Sequence, residues 1–300
     1  MHRSLIIIIY SVLAFLPLNK VIYRTAKSSH TVVNPANAAT NLTKYITEKQ
    51  WNELFPHRND GSATNIGLNK TKRKVDFFSY SVFVTAALRF PLFLNEGNTL
   101  TQKRELCALL ANMAFETGGG WDAAPGGYYR WGFYFKEERG CEKGCPVYTD
   151  PSKINYLPVA GQSYHGRGPL QISWNYNYGQ FSQAWFHNKD SLLRNPSLLT
   201  LDPVISFASA LWFWTSAQPP KPSCHDIMCN KWVPTAKDSI SKRLPGFGSV
   251  VNIINGGLEC GTNQSKNAKY RYGYYLYFCR YFKITPGNNT ECSTQLPFGR

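Results

Sequence analysis

The chain predicts a mainly α-helical fold, and three observations carry that reading. Capping signals stand in front of several apolar runs, apolar residues inside those runs recur at helical spacing, and no long apolar–polar alternation of a strand appears. Loops and one small hairpin, near residues 133–138, are the expected exceptions. No internal repeat is visible.

In chain order, MHRSLIIIIYSVLAFLPLNK sets a short basic start before an apolar run of about 14 residues, Leu5 to Leu18. That run is short for a membrane span and suits a secretory h-region. A small-x-small cleavage site is not clear, so residues 1–27 read as a signal peptide or a retained signal anchor. Residues 28–43 are polar and irregular and read as a linker. Thr47 and Gln50 form a capping box for a helix through Trp51 and Leu54. Phe77 to Phe90 is apolar and helical in pattern, stopping before Pro91. Thr99 and Gln102 form a second capping box, and Leu106, Leu109, Leu110 and Met113 give that helix a buried face. Gly118, Gly119 and Gly120 end it. Asp202-Pro203 is a cap followed by proline at the first helical position, and VISFASALWFW behind it is apolar nearly all round, as in a central helix. Asp238 to Arg243 reads as a short helix, and Asn263 leads into a Tyr-rich helix carrying Arg271.

Glu116 lies seven residues after Leu109 and three after Met113, on the same apolar face. A carboxylate there is costly unless it is paired or kept protonated. Glu137 and Glu138 follow across an aromatic stretch that includes Tyr128, Trp131 and Tyr134. One carboxyl group in an apolar setting and a second across aromatic residues is how a glycosidase separates its acid from its base. The competing reading of a lone Glu near a helix end is a solvated or capping residue.

With 43% hydrophobic and 15% aromatic residues, the 300-residue chain has ample material for a core and is not disordered. Its net charge is +15, or +11 without Arg3, Lys20, Arg24 and Lys27. The charges are scattered and no nucleic-acid motif is present, so they read as a solubility and surface-association feature, without a nucleic-acid partner or a membrane contact beyond the N-terminal segment. Eight cysteines fit an oxidising compartment. Cys224 and Cys229 read as a local bridge, while Cys107 and Cys279 are left either paired or free. A zinc site built from the short cysteine spacings with His225 is the rival reading. Sequons at Asn41, Asn69, Asn263 and Asn288 agree with secretion.

The segment GRGPLQIS resembles, nearly letter for letter, a signature of glycoside hydrolase family 19, the plant-type chitinases. So do FETGGGW, YRWGFYFKEERG, NYNYG, DPVISFASALWFW, PKPSCHD, RLPGFG and NIINGGLECG, in the family's order over roughly residues 44–292. The resemblance implies a catalytic domain over residues 44–292 followed by a tail of 293–300, built as a mainly α, two-lobed lysozyme-like (α+β) domain with a central substrate cleft. It implies a secreted, monomeric endochitinase that hydrolyses β-1,4-linked N-acetylglucosamine chains with inversion, acting on chitin or its oligosaccharides without metal or cofactor.

By position, Glu116 corresponds to the general acid, Glu138 to the general base and Ser173 to the residue that helps hold the attacking water. Glu137 is then a solvated loop acid. Gln171, Tyr176, Asn177, Lys221 and Asn255, with Trp131 and Tyr164, correspond to substrate-binding positions. Glu259 and Arg271 match a charged cluster beside the acid, in which Glu259 must balance the arginine for the acid to keep its proton. Cys141–Cys145 and Cys260–Cys292 match pairs that bridge in relatives. Two departures stand beside the acid: Phe115 where relatives often carry His, and Gly118 for a Thr. The rival functions are a lysozyme-like peptidoglycan hydrolase and a carbohydrate-binding protein that has lost turnover.

Overall fold

The structure is a computed structural model that describes residues 41–61, 75–261 and 265–299. The expected N-terminal segment, most of the linker and the sequons at Asn69 and Asn263 lie outside the described residues. Helix α1 (Asn41–Tyr45) already buries Leu42 and Tyr45, so the linker expected to reach residue 43 gives way at Asn41. Helix α2 (Glu48–Leu54) begins as expected: Thr47 N donates to Gln50 Oε1 at 2.9 Å and Gln50 N to Thr47 Oγ1 at 3.3 Å. Its Trp51 is fully buried, donates to Phe78 O at 3.0 Å and lies 5.0 Å from the Phe133 ring and 5.4 Å from Phe83. Helix α3 (Tyr80–Ala87) is shorter than the apolar run, because Ser79 caps it by accepting from Val82 N. Phe77 and Phe78 therefore enter the core ahead of the helix rather than within it.

Helix α4 (Thr99–Glu116) starts at the expected place with a different cap. Asn98 Oδ1 accepts from Thr101 N at 3.0 Å, making Thr99 the first helical residue, while the Gln102 amide donates to Gly97 O at 3.1 Å. Every residue from Glu105 to Ala114 is buried. After the loops come α5 (Asn175–Phe186), α6 (Asp190–Arg194), α7 (Leu198–Leu201) and α8 (Pro203–Thr215). Asp202 caps α8 by accepting from Val204 N at 2.9 Å and Ile205 N at 3.0 Å, with Pro203 at the first turn. Helix α9 (Cys224–Met228) and helix α10 (Ala236–Ile240) are short. In α10, Asp238 closes a capping box with Thr235 and also accepts from Arg243 Nε at 2.9 Å. Helices α11 (Phe247–Glu259) and α12 (Lys266–Tyr281) complete the fold, with α12 packed along α4 and α8 against α3.

The hairpin expected near residues 133–138 does not form; among the described residues there are only isolated bridges, Glu137 with Arg167, Arg167 with Ile172 and Gln218 with Lys221. The end of α4 has taken the donors a hairpin needs. Phe133 N donates to Thr117 Oγ1 at 2.8 Å, and Tyr134 N and Phe135 N both donate to Thr117 O at 2.9 Å.

Cys141–Cys145 and Cys260–Cys292 are disulfide-bonded, and the other four cysteines are buried free thiols. The expected Cys224–Cys229 bridge is thus corrected. Cys224 opens α9 and Cys229 is its C-cap; five positions along a helix turn about 140° past a full turn, so the two side chains diverge. Cys107 and Cys279, on α4 and α12, remain unpaired.

The Cys260–Cys292 bridge closes a segment of 32 residues that returns the C-terminus onto α11, where Gly261 N donates to Cys292 O at 3.1 Å. Loop-closure entropy for that length makes Cys260→Ser with Cys292→Ser cost about 3–4 kcal/mol, read as a lowered midpoint in urea unfolding.

Candidate active site

The site begins at the end of α4. Glu116 is the last residue of that helix, and its side chain is 19% exposed. Arg271, one turn and a half into α12, is 1% exposed and reaches across to it: Nη2 donates to Glu116 Oε1 at 2.5 Å. The same guanidinium donates to Glu259 through Nε at 2.9 Å and Nη2 at 2.9 Å, and through Nη1 to Asn112 Oδ1 at 3.2 Å. Glu259 is as buried as Arg271 and also accepts from Asn255 Nδ2 at 2.8 Å. Asn255 can do this because it breaks the helical path of α11, with φ −144° and ψ 33°.

Two carboxylates therefore share one buried cation. Arg271 binds Glu259 through two nitrogens and Glu116 through one. Burial pushes the Glu116 carboxyl above its ordinary range; Arg271 pulls it down, and the charges of Glu259 and Glu138 push it up again. Burial wins because the single positive charge is already largely compensated by Glu259.

Glu138 sits in a different setting. Its Oε1 accepts from Tyr148 OH at 2.7 Å and its Oε2 from Gly166 N at 3.2 Å, and its backbone N donates to Gly166 O at 2.8 Å. Burial and the bond to Glu138 push the Tyr148 hydroxyl up to about 12, so Tyr148 stays a donor at neutral pH. Glu137 turns the other way. Its Oε2 lies 3.3 Å from His165 Nε2 and 3.7 Å from Arg167 Nε, and the His165 bond, with Arg167, holds its carboxyl below the ordinary range. The expectation of a solvated loop acid is corrected: Glu137 is a paired ion, 18% exposed.

The GRGPLQIS segment folds tightly opposite. Gly168, Gln171 and Trp174 all have positive φ, at 76°, 48° and 76°. A Cβ on Gly168 would stand 3.0 Å from Ser206 Oγ, so the segment needs glycine there both for conformation and for its approach to α8. Ser173 Oγ donates to Gln171 O at 3.0 Å and Gln171 Nε2 to Gly168 O at 2.8 Å. Asn177 Nδ2 donates to Ser173 O at 2.8 Å, while its buried Oδ1 has no partner and is left to accept.

Glu116, Glu138, Gln171, Ser173, Asn177 and Asn255 line one open cleft of about 790 Å³. Trp174, Asn177, Phe213 and Ile254 also line an adjoining cavity of about 610 Å³, which adds Tyr176 and Lys221. Burial draws the Lys221 ammonium down, and it donates to Ile253 O at 2.7 Å. Two expected sugar-binding residues are not in this set. Trp131 stacks on His57 at 3.8 Å and donates to Pro125 O, and fully buried Tyr164 donates to Leu193 O at 2.7 Å and accepts from Val159 N. Tyr148, which the sequence reading missed, lies ten residues after Glu138 in a loop without periodic pattern, and no sequence signal marks it.

The chitinase class I family of glycoside hydrolase family 19 matches residues 45–292. The chain belongs to that family. It is 44% identical over 266 residues to an endochitinase of Phaseolus vulgaris, covering 88% of this chain and 76% of that protein. It is 42% identical to an endochitinase of Carica papaya, covering 86% of this chain and 100% of the other. Chitinase C from Streptomyces griseus superposes with a TM-score of 0.62 at 29% identity, over 83% of this chain and 97% of that one. A class IV chitinase of Zea mays gives 0.59 at 29% identity, over 83% and 98%. The mainly helical, two-lobed lysozyme-like architecture with a central cleft is thus the architecture of this family 19 chitinase.

Two outcomes follow from the electrostatics. Glu138→Gln removes a negative charge that raises Glu116, so the Glu116 carboxyl titrates at lower pH than in the parent, read by carboxyl-carbon NMR. Glu137→Gln leaves buried Arg167 without its anion and costs about 1–3 kcal/mol, read by thermal unfolding.

Proposed function

We propose that this chain is a secreted endochitinase that hydrolyses β-1,4-linked N-acetylglucosamine polymers by a single inverting displacement. The observation that carries the reading is the contrast between two carboxyl groups lining one cleft. Glu116 is pushed up by burial beside a cation already bound to Glu259, whereas Glu138 is held in the cleft by hydrogen bonds from Tyr148 OH and Gly166 N. Glu116 then donates a proton to the glycosidic oxygen as the bond to the anomeric carbon breaks. Glu138 takes a proton from water, and the hydroxyl adds to the opposite face of the sugar.

Ser173 holds that water together with Glu138: its hydroxyl donates to Gln171 O, which leaves its oxygen to accept from the water. Gln171, Asn177, Tyr176, Lys221 and Asn255 contact the sugars and their acetamides. The free acceptor on Asn177 suits a sugar hydroxyl or amide N–H. Cleavage within the chain fits a cleft that continues from the carboxylates into the adjoining cavity. Residues 44–292 act as the catalytic domain of a monomer, preceded by a secretory segment over 1–27 and a linker and followed by a tail of 293–300. Two disulfides agree with an oxidising destination.

Release of reducing ends from chitin oligomers, set against bacterial cell walls, tests the substrate; preference for the walls overturns it. Glu116→Gln and Glu138→Gln each lower kcat by roughly 10²–10⁴-fold with oligomer binding retained, and azide restores part of the rate only to the second. Ser173→Ala loses less, since a second water fills the vacated space. Proton NMR of the first products shows the α-anomer; a β-anomer sinks the single displacement.

A further inference from the structure

Away from the cleft, a second group of polar side chains is buried for no purpose that hydrolysis uses. Glu96, in the turn before α4, meets His225 and Cys229 at α9, and one ligand atom of each lies within 4.8 Å of the other two. His225 is 2% exposed; its Nδ1 stands 2.6 Å from Glu105 Oε1 and its Nε2 2.7 Å from Glu96 Oε2. Cys229 Sγ lies 3.7 Å from His225 Nδ1 and 3.8 Å from Glu105 Oε2. Glu105 is itself fixed, accepting from Trp214 Nε1 at 3.0 Å and Leu94 N at 3.1 Å. On the rim, Lys231 Nζ holds both oxygens of Glu96, at 2.8 and 3.0 Å, from a side chain 47% exposed.

We propose that Glu96, His225 and Cys229 form a site for one thiophilic divalent cation of the zinc type, with Glu105 orienting His225. The donor set selects the ion. A thiolate, an imidazole and one carboxylate suit zinc-like ions, whereas calcium and magnesium require more oxygens than the site offers. Three protein ligands leave a fourth position for water. Glu105 on Nδ1 leaves Nε2 for the ion and supplies the carboxylate behind a ligating histidine that such sites use. Metal–ligand bonds of about 2.0–2.3 Å put ligand atoms about 3.3–3.8 Å apart, so the 2.7 Å Glu96–His225 contact opens and the Cys229 thiol, now beside Nδ1, turns in toward Nε2 as the ion binds.

Charge balances on binding: the ion displaces one proton from His225 and the thiol proton of Cys229 to solvent, and its +2 charge offsets those two losses. Lys231 then swings into water. The rival zinc reading of the sequence joined the short cysteine spacings to His225; the geometry groups His225 with Cys229 and Glu96. The ion would tie the Glu96 turn to the end of α9, a structural role apart from the cleft.

The test uses the full chain, stripped with chelator and titrated with zinc by calorimetry and with cobalt(II) by absorption. The expected result is one equivalent of zinc, a higher thermal midpoint, and a thiolate-to-cobalt charge-transfer band. Cys229→Ser abolishes that band and weakens zinc binding by roughly 100-fold or more; Glu96→Gln weakens it by roughly 10-fold. Lys231→Gln removes a competing cation and tightens binding by about fivefold, with chitin-oligomer hydrolysis unchanged. A purely structural ion network gives no such gain. Absence of saturable zinc binding, a missing cobalt–thiolate band in the parent, or weaker binding in Lys231→Gln overturns the proposal. The parent spectrum and Lys231→Gln decide the matter even where Cys229→Ser fails to fold.

Discussion

One guanidinium organises this molecule. Arg271, carried by α12, has its charge buried against α4 and α11, where an unpaired cation costs several kcal/mol, so each of those two helices has to bring it an acceptor. The long helix α4 supplies Asn112 and Glu116, four residues apart on one face. Helix α11 supplies Glu259, and its departure from helical geometry at Asn255 turns an amide onto the same carboxylate. Moving any of the three helices breaks a charge-assisted bond in a low-dielectric setting. The packing of α12 on α4 is thus held by the same contacts that set the proton affinity of Glu116.

Three glutamates around the cleft show how environment divides one residue type into three roles. Glu116 shares a cation that is already engaged and is pushed up. Glu137 has a histidine and an arginine and is held down. Glu138 receives a phenol and a backbone N–H, neutral donors that fix its direction. Adjacent positions 137 and 138 point apart because the backbone there runs extended, bridged to Arg167 and to Gly166. One carboxylate on His165 and Arg167 and one on Tyr148 and Gly166, both lining the cleft, follow from that alternation.

How much of this was legible depended on whether the cause was local. The Thr47 box, the Asp202-Pro203 cap and the apolar face carrying Glu116 are local signals, and each is found where the sequence put it. The hairpin at 133–138 failed because a group distant in sequence decided it, Thr117 capturing its donors, and the Cys224–Cys229 bridge failed because the segment between the two cysteines is helical, which turns their side chains apart. Trp131 and Tyr164 share residue type with sugar-stacking positions, yet the first has His57 against its ring and the second has its hydroxyl satisfied in the core. Residue identity could not reveal those neighbours, and nothing in the chain near Tyr148 marks it as the partner of Glu138.

The two departures beside the acid acquire different weights once the packing is known. Phe115 lies with its ring under Arg271, 4.3 Å from the guanidinium carbon, so it adds an attractive face to the buried cation. A histidine there would bring a second titrating group against Arg271; phenylalanine removes it and leaves Glu259 and Glu138 as the charges that raise Glu116. Gly118 is less constrained than its neighbours. A Cβ on Gly119 would stand 2.5 Å from the Tyr134 ring and one on Gly120 2.6 Å from Tyr128 O, whereas on Gly118 the nearest atom is 3.0 Å away. Gly119 and Gly120 are therefore set by the aromatic segment folding back over the end of α4. Gly118 is the position of the three where a side chain such as the threonine of relatives needs the smallest adjustment.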